Sequence, residues 1–212
     1  MTEIATSAVV NERRRGRQRG SYAKTKERRQ EILTAAFEVF STSGYRAGSI
    51  QDIADKIGLT KTGLLHHFPS KEALLEAVLT LRDEDSWSAA GIVTDNGMET
   101  LRGIVRLVEY NTTVPGLVAL HCVLSAESTD PTHPAHEYFQ RRYKWVTEVG
   151  GQAFSDLDHR GSLRPGVTPG AAGRLLVALM DGLQVQWLLD NSSVDMAGEL
   201  RTFLSAVTTE EF

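Results

Sequence analysis

The sequence predicts an all-α protein of about nine helices, with an N-terminal three-helix head containing a helix-turn-helix and a C-terminal helical domain. Three observations carry this expectation. Apolar residues recur at spacings of three and four along nearly every patterned stretch. No run alternates polar with apolar residues between turn signals as a strand would, and Asn96-Gly97, the one hairpin-like dipeptide, precedes a helical pattern. The periodicity breaks where glycine, proline and small polar residues cluster, at Ser43-Gly44, Gly58, Pro69-Ser70, Pro115-Gly116, 129–134, 164–169 and 191–193. Helices are therefore expected at about 25–43, 50–57, 61–67, 71–90, 97–112, 115–128, 134–159, 169–190 and 194–208.

The first helix carries an inward stripe of Ile32, Leu33, Ala36, Phe37 and Phe40. Ser49-Ile50-Gln51-Asp52 has the form of a capping signature and opens a short helix whose Ile53, Ala54 and Ile57 face inward. Gly58 and Leu59 follow, then Thr60 as the cap of a second short helix, Lys61 to His67. Ala54 has to be small where the second helix crosses it, Gly58 can take the left-handed turn conformation, and Ile53, Ile57, Leu59 and Leu64 fill the wedge. Further on, Asn96 with Glu99 three residues later caps the pattern Met98, Leu101, Val105, Val108. Gly150-Gly151 inside a long helical pattern implies either a close contact or a bend.

Of the 212 residues, 41 % are hydrophobic and 24 % charged, as in ordinary globular proteins, and the longest apolar runs fall far short of the ~20 residues needed to span a bilayer. No membrane partner is expected. The weakly apolar stretch 5–10 precedes Arg13, Arg14 and Arg15, the reverse of signal-peptide order, so a cytoplasmic location is expected. The single cysteine, Cys122, excludes an intrachain disulfide and suits a reducing compartment.

Charge is unevenly spread. Residues 1–80 hold 13 basic and 9 acidic side chains, whereas 81–212 hold 10 and 18. Residues 11–30 alone carry nine basic side chains against two acidic ones, which implies a polyanion met by one end of the molecule. A solubilising tail would give the same count. A structural αα-corner would likewise give the same wedge, but it needs neither a basic arm upstream nor a polar, cationic second helix.

Taken together, Ile32-Leu33 through Phe37 and Phe40, Gly44-Tyr45, Ser49-Ile50-Gln51-Asp52-Ile53-Ala54, Gly58-Leu59-Thr60-Lys61 and the run His67-Phe68-Pro69-Ser70-Lys71-Glu72-Ala73-Leu74-Leu75 closely resemble the DNA-binding head of tetracycline-repressor-type (TetR family) regulators. The likeness covers residues 25–81, about a quarter of the chain. It implies a homodimeric repressor of a palindromic double-stranded DNA operator, released by a small-molecule effector bound in the C-terminal domain. A ligand-independent regulator or architectural DNA-binding protein with a solid C-terminal core remains the alternative. The expected division is a disordered basic arm over 1–24, the head over 25–70, and a ligand-binding and dimerisation domain over 71–212.

In that geometry the second short helix enters the major groove, so Gln51, Lys61, Thr62 and Gly63 are the candidates for base contact. Ser49, Thr60, His66, His67 and Lys71 are placed for phosphates. Arg13, Arg14, Arg15, Arg17 and Arg19 of the arm suit an adjacent minor groove. One departure from the family pattern is Leu65, where a tyrosine usually precedes the His-Phe pair. A phenolic phosphate contact is lost there, and His66 either replaces it or only fills space.

The C-terminal part carries generic patterns. The helix from Pro169 has one stripe of Ala172, Leu176, Leu179, Leu183 and Trp187 and another of Leu175, Ala178, Gly182, Val185 and Leu189. A helix apolar on two sides needs two covers, its own domain and a second subunit, with Leu200, Phe203, Leu204 and Val207 of the last helix completing a four-helix interface. Candidates for lining an effector pocket are Trp87, Tyr110, His121, Cys122, Glu127, Phe139, Tyr143, Asp181 and Gln184. No enzyme is expected and no cofactor. His133 and His136 straddle a proline without further metal ligands nearby, adjacent His121 and Cys122 point about 100° apart on a helix, and no Gly-rich phosphate loop is present.

Overall fold

The computed structural model describes residues 4–212, with side chains described for 24–83 and 90–212. Among these residues the elements are α1 (Ile4–Ala47), α2 (Ile50–Lys56), α3 (Lys61–His67), α4 (Lys71–Ala90), α5 (Gly97–Thr113), α6 (Pro115–Glu127), α7 (His136–His159), α8 (Pro169–Leu189) and α9 (Met196–Val207). The extended pairing among them is a single isolated antiparallel bridge between Leu163 and Thr208. All nine expected helices are present, and from α2 onward their ends fall within two residues of expectation. The first is the exception: α1 begins at Ile4, through the segment expected to be a disordered arm. Ala, Arg, Lys and Gln between residues 13 and 30 are good helix formers, and their charge does not oppose a helix as it opposes a packed core.

Local chemistry explains the ends. The helical run of α1 is interrupted at Gly44, with φ 74° and ψ 177°, a region open essentially to glycine. Ser49 and Asp52 form a reciprocal capping box on α2. Gly58 adopts φ 65° in the turn before Thr60, whose side chain accepts the Gly63 N–H at 3.0 Å and starts α3. Asn96 caps α5 by accepting the Glu99 N–H at 3.2 Å.

Two apolar clusters organise the packing. The first joins Ile32, Phe40, Ile53, Ala54, Leu64, Phe68 and Leu74, all at most 1 % exposed, to Leu120 and Leu124 of α6 and Phe139 of α7, so the head core continues into the body. Each of these leucine, isoleucine and phenylalanine side chains contributes ~2 kcal/mol on burial. The second, built from α5, α7, α8 and α9, includes Leu101, Phe154, Leu176 and Leu200. The Gly150-Gly151 pair is a close contact: a Cβ on Gly173 would lie 2.4 Å from the Gly151 nitrogen, so α7 and α8 touch backbone to backbone.

Candidate nucleic-acid interface and internal cavity

The wedge has the geometry the head spacing predicts. Ile53, Ala54 and Leu64 are completely buried, while Ile57, Leu59 and Leu65 pack partly exposed against the same cluster. With its apolar side spent, α3 presents Lys61, Thr62 and His66 to solvent. Gln51 is also exposed and donates to Asp55 Oδ1 at 2.6 Å, one turn along α2, which fixes its amide on that helix. At Gly63, an added Cβ would meet the Thr60 Oγ1 at 3.2 Å, which ties this glycine to the cap. Arg29 braces the end of α3 by donating to the His67 carbonyl at 3.0 Å, with its guanidinium 4.0 Å from the Phe68 ring centroid.

Three expected phosphate contacts have other work. The Ser49 hydroxyl donates to Asp52 Oδ2 at 2.7 Å and accepts the Asp52 N–H at 3.1 Å, so the capping box consumes it. The oxygen of Thr60 is engaged as a cap, though its O–H remains a donor. Lys71 is half-buried with Nζ 4.2 Å from the Tyr45 ring centroid, and burial lowers its pKa despite the carboxylates of Glu127, Glu72 and Asp52. Sequence reasoning missed this partner, although Tyr45 stands in the quoted pattern; its hydroxyl donates to Glu72 at 2.7 Å. The side chains of Arg13, Arg14, Arg15, Arg17, Arg19 and Trp87 lie outside the described residues.

Behind the head, α4, α5, α6, α7 and α8 enclose a cavity of about 90 Å³. Four of the expected residues line it: His121, Tyr143, Asp181 and Gln184. The wall is otherwise largely apolar, with Ile104, Leu107, Val146, Val149, Leu176 and Met180, joined by Arg82 of α4 and Arg142 of α7, which sequence reasoning missed. Asp181 accepts from the Tyr143 hydroxyl at 2.8 Å and lies 3.1 Å from His121 Nε2. Burial holds His121 down to about 4, so it is neutral near pH 7. Burial, then the Asp181 charge, raises the Tyr143 hydroxyl.

Four other expected lining residues are elsewhere. Tyr110 is half-buried and its carbonyl accepts from Thr113. Cys122 packs against the second cluster, where burial pushes its thiol up to about 11. Phe139 belongs to the first cluster, 5.8 Å from the His121 ring. Glu127 points to the head: its carboxylate accepts the backbone N–H groups of Tyr45 at 2.7 Å and Arg46 at 3.4 Å. A Cβ on Gly44 would come within 2.5 Å of that carboxylate. His133, also facing Glu127 at 3.5 Å, and His136 anchor the turn before α7 through Ser128.

The outer stripe of α8 is bare. Leu175 is 56 %, Val185 48 % and Leu189 82 % exposed, with Ala178 and Gly182 open between them. The α9 part of the expected interface needs correction: Leu200 and Leu204 are completely buried within their own chain because they close the second cluster, while Phe203 and Val207 stay partly exposed. Among the described residues, no helix is long and apolar enough to cross a membrane.

A capped helical wedge with an exposed polar and cationic second helix, on an all-α body, defines a helix-turn-helix DNA-binding transcriptional regulator. Residues 32–78 match the family model of bacterial regulatory proteins of the tetR family. The chain is 28 % identical over 188 residues to the HTH-type transcriptional regulator UidR of Escherichia coli, covering 85 % of this chain and 93 % of that one. It is 28 % identical to the HTH-type transcriptional repressor KstR2 of Rhodococcus jostii, over 68 % of this chain and 67 % of that protein. A TetR-family transcriptional regulator from Rhodococcus sp. shares its fold with a TM-score of 0.68 at 22 % identity, over 86 % of this chain and 98 % of the other. The head of this chain is thus that of tetR-family regulators, and the likeness to UidR, a transcriptional regulator, runs on through the body.

Proposed function

We propose that the protein is a homodimeric repressor that leaves a palindromic operator when a small molecule fills the cavity behind its head. In this reading residues 25–70 read DNA and residues 71–212 bind the effector and pair the subunits. The carrying observation is the continuity of α6: His121 stands in the cavity wall and Glu127, on the same helix, grips the Tyr45 and Arg46 amides at the head. A rigid element touching both places can transmit a shift at one to the other. The bare α8 stripe supports pairing, since a single head contacts few bases, and paired heads about 34 to 36 Å apart read two half-sites. Repression rather than activation is favoured by the extent of the likeness, which covers 68 % of this chain for the repressor KstR2 and 37 % for the activator FasR of Mycolicibacterium smegmatis.

Lys61, Thr62, Gln51 and Gly63 are assigned to base edges, and His66, His67 and the Thr60 hydroxyl to phosphates; the arm arginines extend this contact along the duplex. Selection of bound sites from random DNA tests the reading, with a palindrome as the expected product. Lys61→Ala then reduces discrimination between that site and a mutated one by about 1 to 3 kcal/mol. Equal losses on both DNAs would return Lys61 to the phosphates, and recovery of no preferred site would defeat the reading.

A further inference from the structure

We propose that the cavity takes a monoanionic, mostly apolar molecule, its carboxylate against Arg82 and Arg142 and a hydroxyl or amide N–H directed to Gln184. The proposal rests on the reading of this cavity as the effector site and adds the chemistry of its occupant.

The charges around the cavity are unequal in how well they are met. Arg82 and Arg142 share one carboxylate: Arg82 Nη1 lies 3.1 Å from Asp83 Oδ1, and Arg142 Nη1 pairs with the same oxygen. The other oxygen of Asp83 accepts from the Tyr138 hydroxyl at 2.6 Å. Two guanidiniums thus rest on one saturated carboxylate, leaving a unit of positive charge in excess within this cluster. Arg82 is almost wholly buried in the cavity wall, and its Nε–H meets no acceptor. Asp181 balances the charge of the cavity as a whole, but its oxygens face His121 and Tyr143 and not the guanidiniums, so the Asp83 end stays positive. His121 is neutral and adds no charge.

The unmet polar atoms specify the guest. A carboxylate answers Arg82 with a charge-assisted bond, the geometry a guanidinium favours. A cation would add charge beside two guanidiniums, and a neutral alcohol would satisfy the donor without the charge. At another part of the cavity, Gln184 Oε1 is buried without a donor, which calls for an O–H or N–H on the guest. Ile104, Val146, Leu176 and Met180 between these groups favour an apolar skeleton.

The test uses the purified full-length protein and calorimetry with straight-chain carboxylates of about four to ten carbons and the alcohols and amines of equal length. The expected result is a carboxylate binding about tenfold or more tighter than its alcohol, with no binding of the amine. Arg82→Gln should shrink that preference below about threefold, with circular dichroism reporting whether the variant folds. Asp83→Asn provides the second variant: removing the balancing carboxylate should tighten carboxylate binding about threefold or more and leave the alcohol unchanged. A matching alcohol or amine bound as tightly as the carboxylate, no carboxylate bound at any length, a folded Arg82→Gln protein with the full preference, or no gain in Asp83→Asn would each overturn the proposal. Operator release is read separately by fluorescence anisotropy. Carboxylate binding without release supports this chemistry while sinking the effector reading. Release by amines or alcohols alone sinks this chemistry and leaves the effector reading standing.

Discussion

The head and the body expose opposite chemistry. Around the head, apolar side chains are used up inside the wedge and solvent meets Lys61, Thr62, Gln51 and His66. Along α8, solvent meets Leu175, Val185 and Leu189, while polar Gln184 of the same helix and His121 of α6 are buried. The difference teaches that the two regions need different partners: a polyanion suits the first, and an apolar surface such as a second copy suits the second.

If the α8 stripe pairs two subunits, breaking it should injure DNA binding more than any change in the head. Leu175→Glu with Val185→Glu places four charges in a two-fold interface and should yield a monomer in sedimentation with operator affinity reduced about 100-fold or more. A monomer of unchanged operator affinity would separate the two regions entirely.

The joint comes next. Gly44→Ala forces a side chain into a glycine-only conformation and displaces Glu127 from two backbone amides. The expected cost is about 3 to 5 kcal/mol, a fall in Tm of roughly 6 to 20 °C, read by calorimetry. A loss under about 1 kcal/mol would mean head and body do not lean on each other here.

Acid should strike the body more than the head. His121 is held down to about 4 by burial, against an ordinary value near 6.5, so the unfolded chain binds the proton first. Stability from this group is complete above about pH 6.5 and is lost as pH falls toward 4, by about 3 kcal/mol. His133, also lowered by burial, acts in the same sense, so His121→Gln should flatten only part of the slope in denaturation measured across this range.

The smallest effect concerns Ser49. As a cap it is worth about 1 kcal/mol, so Ser49→Ala should lower stability by that amount and leave operator discrimination intact. A loss of DNA affinity beyond this would restore it to the phosphate backbone.

The head was legible because its signals are local. Caps, the turn glycine and the crossing alanine act within a few residues, so Ser49, Gly58, Ala54 and Thr60 stand where their spacing demands. Legibility failed where a side chain's role depends on a distant neighbour. Glu127 and Phe139 share the helical character of cavity residues, yet which way their helices turn is set by packing on α1. Arg82 was hidden for the opposite reason: a cation in a helix reads as surface until Asp83, Arg142 and Tyr138 are seen gathered around it. Periodicity likewise marked Leu200 and Leu204 as apolar without saying whether their own domain or a partner covers them. The arm was read from charge alone, which measures its failure to join a core and says little about helix.

The helix α4 is shared property. Lys71 at one end lies over the Tyr45 ring, and Arg82, eleven positions along, stands in the cavity wall about 16 Å away. Rocking such a rod by about 5° about the Arg82 end carries Lys71 sideways by roughly 1.5 Å, about a quarter of one helical pitch. Evolution therefore retunes both ends together: a substitution that reshapes the chamber to admit a new guest also shifts the seat of Lys71 on Tyr45 beneath the head, and compensating changes are to be sought near Tyr45 and Glu72.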